Sequence, residues 1–169
     1  MALTKELETK TLCLLLLWTG ARIGEIQALT SANIDVANNS IVIRTLKQRR
    51  KKVFREIPIS EPLMSLVVKF LNMRQGNISQ TQSIWSWSKR TSQRRLKSVM
   101  IEADIRGIHA CAKGLRHSFA VHCVLCKIPL TSMQKSMGHV DLDTTAVYLN
   151  IIGQEERTLA ARIWESIGD

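Results

Sequence analysis

The run Leu12-Cys13-Leu14-Leu15-Leu16-Leu17-Trp18 is apolar from end to end. A helix that crosses a bilayer needs ~20 such residues, so a run about a third as long belongs to a helix buried in a protein core. Thr4 can cap that helix, Glu6 and Glu8 fall in its first turn where carboxylates complement the helix dipole, and Gly20 ends it. Such a helix needs other elements to cover it. The 169 residues suffice for one core without disulfides or metals, and a single domain over 1–169 is expected.

The covering elements show in outline. Ile41-Val42-Ile43-Arg44-Thr45-Leu46 and Val53-Phe54-Arg55-Glu56-Ile57-Pro58-Ile59 are rich in β-branched residues, and Lys47-Gln48-Arg49-Arg50-Lys51-Lys52 joins them. The pattern predicts a β-hairpin with a cationic tip. Ser60 and Pro62 open a helix that places Leu63, Leu66, Val67, Phe70 and Leu71 on one face, and Gly76 closes it. Turn residues occupy the stretch from Asn77 to Arg90, with Trp85 and Trp87 as core or loop anchors. The next helix displays Arg94, Arg95 and Lys97 and buries Leu96, Val99 and Met100. Gly114 to Cys126 forms another helix, Thr131 to Met137 a shorter one stopped by Gly138, and Asp143-Thr144-Thr145 caps a short helix bearing Tyr148. Leu159, Ile163 and Ile167 recur at helical spacing beside Ala160 and Trp164, behind Glu155 and Glu156, which predicts an amphipathic tail helix. The expected class is mainly α with a small antiparallel β-sheet.

Twenty-four Lys and Arg against fourteen Asp and Glu give a formal charge of +10. A surplus of that size favours a polyanionic partner, with nucleic acid ahead of an acidic membrane surface. Cys13, Cys111, Cys123 and Cys126 read as reduced thiols of a cytoplasmic protein, since no secretory signal leads the chain. Cys123 and Cys126 form a C-x-x-C beside His122, but no second ligand pair follows at finger spacing, and no metal or other cofactor is expected.

Tyr148 is the sole tyrosine, nine residues after His139 in Met137-Gly138-His139-Val140-Asp141-Leu142-Asp143-Thr144-Thr145-Ala146-Val147-Tyr148. A phenol ionises near pH ~10 and needs donors and cations nearby before it attacks at neutral pH. Arg116 in Lys113-Gly114-Leu115-Arg116-His117-Ser118-Phe119-Ala120, Arg22 in Thr19-Gly20-Ala21-Arg22-Ile23-Gly24-Glu25, and Lys47 at the start of the basic run could supply them. Taken singly, each residue has a plainer explanation. Arg22 can pair with Glu25 one helical turn on, His139 can cap a helix, Tyr148 can be a half-buried core ring, and the basic run can be a solvated surface.

Taken together, these residues resemble the active-site signature of the tyrosine recombinases, the phage integrase family, over nearly the whole chain. The resemblance implies a DNA breaking and rejoining enzyme that acts on double-stranded DNA without metal or ATP, joins its tyrosine to a 3′ phosphate and assembles as a tetramer on DNA. It implies that Arg22 and Arg116 clamp the scissile phosphate, that Lys47 protonates the departing 5′ oxygen, that His139 assists, and that Tyr148 is the nucleophile. Lys113 departs from the histidine usual three residues before the second arginine; it can still donate to a phosphate oxygen. His109 and His117 stand near but off the family spacing. The family's separate N-terminal helical domain is not seen in the chain, which is expected to be a fragment or an unusually short enzyme of a mobile genetic element. Two alternatives stay open: a non-catalytic DNA-binding module in which the 114–139 helices act as a helix-turn-helix, and a type IB topoisomerase.

Overall fold

A left-handed glycine, Gly20, ends the leucine-rich helix and turns the chain toward the sheet. The computed structural model describes residues 2–46, 53–74, 80–139 and 143–148. The hairpin tip with Lys47, the expected stop at Gly76, and the tail helix with Leu159, Ile163 and Ile167 lie outside these residues.

Helix α1 runs from Ala2 to Thr19, starting two residues before the expected Thr4 cap. Leu12, Leu15 and Leu16 are fully buried, at the i, i+3, i+4 spacing of one face, whereas Trp18 is 55% exposed. The run is therefore buried on one side rather than all round. Thr9, Thr11 and Thr19 turn their hydroxyls onto the carbonyls of Lys5, Leu7 and Leu15, which lets polar residues sit inside. Glu8 does not dress the first turn: it is buried, accepts from the Ser86 backbone N–H at 2.7 Å and lies 3.7 Å from Arg74. Gly20 has φ +60, and a Cβ there would stand 2.3 Å from Phe119 Cδ1, so only glycine fits.

Beyond it come α2 (Ile23–Gln27), a 3-10 turn (Ser31–Asn33), β1 (Ile34–Asp35), β2 (Ser40–Arg44) and β3 (Phe54–Pro58). The three strands form an antiparallel sheet in the order β1-β2-β3, with Ile41 opposite Ile57 and Ile43 opposite Arg55. The predicted hairpin is β2 and β3; β1 is too short to show as a pattern. Alternation turns Arg55 and Ile57 inward and leaves Phe54 and Glu56 outside.

Five helices complete the chain: α3 (Glu61–Asn72), α4 (Lys89–Glu102), α5 (Ala112–Leu125), α6 (Leu130–Met137) and α7 (Asp143–Ala146), counted among the described residues. Leu63, Met64, Val67 and Phe70 are the fully buried face of α3, with Leu66 and Leu71 at its margin. Trp85 stacks on Phe70 with ring centres 5.3 Å apart and donates its indole N–H to the Ile26 carbonyl at 2.6 Å, an anchor as predicted. On α4, Leu96 and Met100 are buried together with Ser92, whose hydroxyl accepts from the Gln27 side chain, but Val99 is exposed. Arg95 leaves the basic face as well, its guanidinium 4.1 Å over the Trp87 ring. Arg94 and Lys97 remain exposed.

The apolar interior divides into two clusters rather than the single core expected. Helix α1 packs against α3, α4 and α5 in the larger one. The smaller joins Ala120, Cys123 and Val124 of α5 to Met133 and Met137 of α6, with Phe119, Leu130 and Tyr148 against them. Among the described residues no helix is long and apolar enough to cross a membrane.

Candidate active site

Arg22 occupies the residue before α2, and its side chain is 26% exposed. The Glu25 carboxylate, fully buried, takes the Arg22 backbone N–H on Oε2 at 3.0 Å and Arg22 Nη1 on Oε1 at 3.0 Å. Arg55 Nη2 reaches the same Oε2 at 2.6 Å. Burial pushes the Glu25 carboxyl up, but the Arg55 hydrogen bond, the Arg22 backbone N–H and the two cations hold it below the usual carboxylate range. That contribution to stability is in place above the ordinary carboxylate pKa and is lost as pH falls through the depressed value.

Arg55 binds more than Glu25. Its Nη1 donates to Thr45 Oγ1 at 2.8 Å and its Nε to the Ser136 carbonyl at 2.9 Å. Arg22 Nη1 also lies 3.5 Å from the Gly138 carbonyl. The residue before α2, the hairpin and the end of α6 therefore meet at one carboxylate and two guanidinium groups.

Arg116 comes from α5. Its Nη1 donates to the Gly20 carbonyl at 2.6 Å, and its Nη2 is buried with no hydrogen-bond partner among the described residues. Burial and then the neighbouring Arg22 charge push its pKa down to about 10, with Arg55 adding to the repulsion and Glu25 only partly offsetting it. The guanidinium stays charged at neutral pH, yet no carboxylate among the described residues pairs with it directly. Lys113, one turn earlier on α5, is exposed at the same opening.

Gly138 ends α6 at φ +64 and hands the chain to His139. The His139 backbone N–H caps Gln134 at 3.2 Å, and its Nδ1 lies 2.8 Å from the hydroxyl of Thr145, a fully buried residue of α7. The hydroxyl can either accept or donate there, so the contact orients the ring in either protonation state. One turn beyond Thr145 is Tyr148. Asp143, Thr144 and Thr145 form α7 itself rather than capping it, and Tyr148 lies on the next turn. Its ring packs on the smaller apolar cluster and against His117, with centres 5.3 Å apart. His117 in turn stacks on His109 at 6.3 Å.

A cleft of about 750 Å³ is lined by Arg22, Lys113, Arg116, His139 and Tyr148, with His117 at its wall. The structure thus brings together five of the six candidates from residues as far as 126 apart, the separation of Arg22 and Tyr148. Lys47, the sixth, lies outside the described residues. The strand leading to it runs close by, for Leu46 Cδ1 stands 3.6 Å from where a Cβ of Gly24 would be. Among the described residues no group of three His, Cys, Asp or Glu is placed to hold a metal ion.

Sequence reasoning missed Arg55, Thr45 and Thr145 as parts of this site. For Arg55 a signal existed: the two-residue alternation that puts Ile57 inside also puts Arg55 inside, and a buried arginine needs partners. Thr145 gave no local signal.

The profile of the Phage integrase family matches residues 1–155. Tyrosine recombinase XerD of Haemophilus influenzae is 30% identical over 166 residues, covering 93% of this chain and 54% of its own length. Tyrosine recombinase XerA of Pyrococcus furiosus is 27% identical over 163 residues, 93% of this chain and 55% of that protein. The chain spans about half the length of the curated relatives it matches. The solved structure of XerH site-specific recombinase in a post-cleavage complex with palindromic difH substrate has a TM-score of 0.81 at 21% identity, covering 98% of this chain and 48% of that one. XerA recombinase gives 0.70 at 19% identity, over 92% and 62%. At these identities the structural likeness speaks for the fold.

Proposed function

The chain belongs to the phage integrase family, and from that premise we propose that it cleaves and rejoins double-stranded DNA at specific sites through a covalent bond between Tyr148 and a 3′ phosphate. The observation that carries this reading is the buried Arg116 Nη2, without a hydrogen-bond partner among the described residues, in a cleft shared with Arg22, Lys113, His139 and Tyr148. An unpaired buried cation donor is costly unless an anion arrives to satisfy it, and a phosphodiester supplies two non-bridging oxygens.

Each residue then has a chemical task. Arg22 and Arg116 grip the non-bridging oxygens, guanidinium being suited to such paired contacts, and Lys113 adds a donor at the mouth. His139, held through Nδ1, donates to the phosphate or assists the phenol in losing its proton. The Tyr148 oxygen attacks phosphorus, the bond to the 5′ oxygen breaks, and Lys47 gives that oxygen its proton. The phosphotyrosyl bond conserves the energy of the broken one. A 5′ hydroxyl from another strand can therefore reverse the step, and strands exchange without ATP or metal. The same reading places the protein in the cytoplasm, acting as a tetramer on the DNA of a mobile element.

A duplex nicked next to the cleavage point tests it, because the short 5′ fragment diffuses away and traps the intermediate. A covalent adduct supports the enzyme. Tight binding without adduct supports a binding module, and relaxation of supercoiled DNA without sequence preference supports a topoisomerase.

Lys47→Ala is expected to slow cleavage of ordinary DNA and to recover on a substrate whose bridging 5′ oxygen is sulfur, since a thiolate leaves without a proton. Equal loss on both substrates would assign Lys47 to phosphate binding instead. Binding by the chain should also be steeply salt-dependent, given its charge of +10 and the exposed Arg94 and Lys97. With about six phosphate contacts, affinity falls roughly 10³-fold between ~50 and ~200 mM salt. A titration that is flat over this range would contradict the phosphate-contact surface.

A further inference from the structure

Arg55 is deeply buried where it touches the site, with 4% of its side chain exposed, and it lines no part of the cleft that holds Tyr148. Burying an ion pair seldom stabilises a fold more than apolar packing of the same volume would, so an arginine at a core-facing strand position calls for another reason. Its partners supply one. Through Nη2 it fixes the carboxylate that holds Arg22, through Nη1 it fixes Thr45, two residues before Lys47, and through Nε it fixes Ser136, three residues before His139. Gly138 adds to the case: a Cβ there would stand 2.8 Å from Arg55 Nη1, so the turn that presents His139 is moulded on this guanidinium.

We propose that Arg55 is a positioning residue for strand cleavage, a buried fork that sets Arg22, the base of the hairpin and the His139 turn in one register. It acts through those groups and touches no substrate. The proposal rests on the reading of the cleft as a DNA-cleaving site. A planar five-donor fork is required, because the three acceptors belong to different elements and lie in different directions. Lysine could keep the charge beside Glu25 but not all three contacts.

Arg55→Lys tests this in the full chain, with thermal unfolding, DNA affinity and single-turnover cleavage measured together. The expected variant folds, with an unfolding temperature somewhat lowered by the lost buried contacts, and binds DNA like its parent but cleaves roughly 10- to 100-fold more slowly, the scale of a small misplacement of catalytic groups. On a methylphosphonate substrate, whose scissile group carries no charge and asks less of the arginine clamp, most of that defect should vanish. A parental rate on ordinary DNA, or the same defect on both substrates, overturns the proposal.

Should Arg55→Lys fail to fold, Thr45→Val carries the test, since it removes one anchor and keeps the Arg55–Glu25 pair. It should cleave ordinary DNA more slowly and recover with a bridging 5′ sulfur; no defect, or no recovery, overturns the role. A parent chain that binds DNA but never cleaves it would defeat the catalytic reading itself and the positioning role with it. That result is distinct from an active parent with an indifferent Arg55→Lys.

Discussion

Tyr148→Phe forms no covalent adduct with a nicked suicide duplex and binds that duplex as tightly as the unaltered chain. The substitution removes one oxygen and keeps the ring that packs on the smaller cluster and against His117, so fold and binding surface persist. Loss should be complete rather than partial because the chain has no second tyrosine to take over. Gel separation under denaturing conditions reads the adduct, and a mobility shift at fixed salt reads the affinity. An adduct that survives the substitution would remove Tyr148 from the mechanism. Lost affinity would make the hydroxyl a binding group and not a nucleophile.

Arg116→Met slows adduct formation by roughly 10²- to 10³-fold, the effect of deleting one preorganised donor from a charged transition state. Its unfolding temperature should not fall. The guanidinium pKa is pushed down to about 10 by burial and by Arg22, so the folded chain holds this proton less tightly than the unfolded one. Its charge therefore opposes folding at neutral pH, and the opposition fades only as pH rises past about 10. Methionine fills similar volume without the charge. A variant that melts well below its parent would show that the hydrogen bond to the Gly20 carbonyl, and not readiness for an anion, is the main work of Arg116.

Both predictions depend on residues that local pattern made visible to different degrees. The leucine helix, its glycine stop, the β2-β3 pairing and the α6 stop at Gly138 could be read because each is a signal a few residues long. So could Arg22 with Glu25, one helical turn apart. The gathering of Arg22, Lys113, Arg116, His139 and Tyr148 was not a local signal. Order and context along the chain, through likeness to a family, single them out, and the five line one cleft.

What stayed hidden was long-range. Arg55 meets the Ser136 carbonyl across 81 residues and Arg116 meets the Gly20 carbonyl across 96, and no periodicity records such pairings. Glu8 looked like a helix-dipole acid and is instead a buried acceptor for Ser86, for the same reason. Val99 lies outside because the buried face of α4 runs through Ser92, Leu96 and Met100, and a serine whose partner is the distant Gln27 leaves no hydrophobic mark of that face. The second cluster went unseen because α5 serves both cores: Leu115 joins the larger and Ala120, Cys123 and Val124 the smaller.

Everything proposed for the cleft turns on whether the phenol of Tyr148 becomes bonded to DNA. Mapping the attachment decides it: the adduct trapped on the nicked duplex is digested with protease and nuclease, and the peptide carrying the nucleotide remnant is sequenced by mass spectrometry. A single modified peptide is expected, with the phosphate on Tyr148 and a 3′ linkage to the DNA. A remnant on any other residue, a 5′ linkage, or stable binding with no modified peptide would contradict the mechanism.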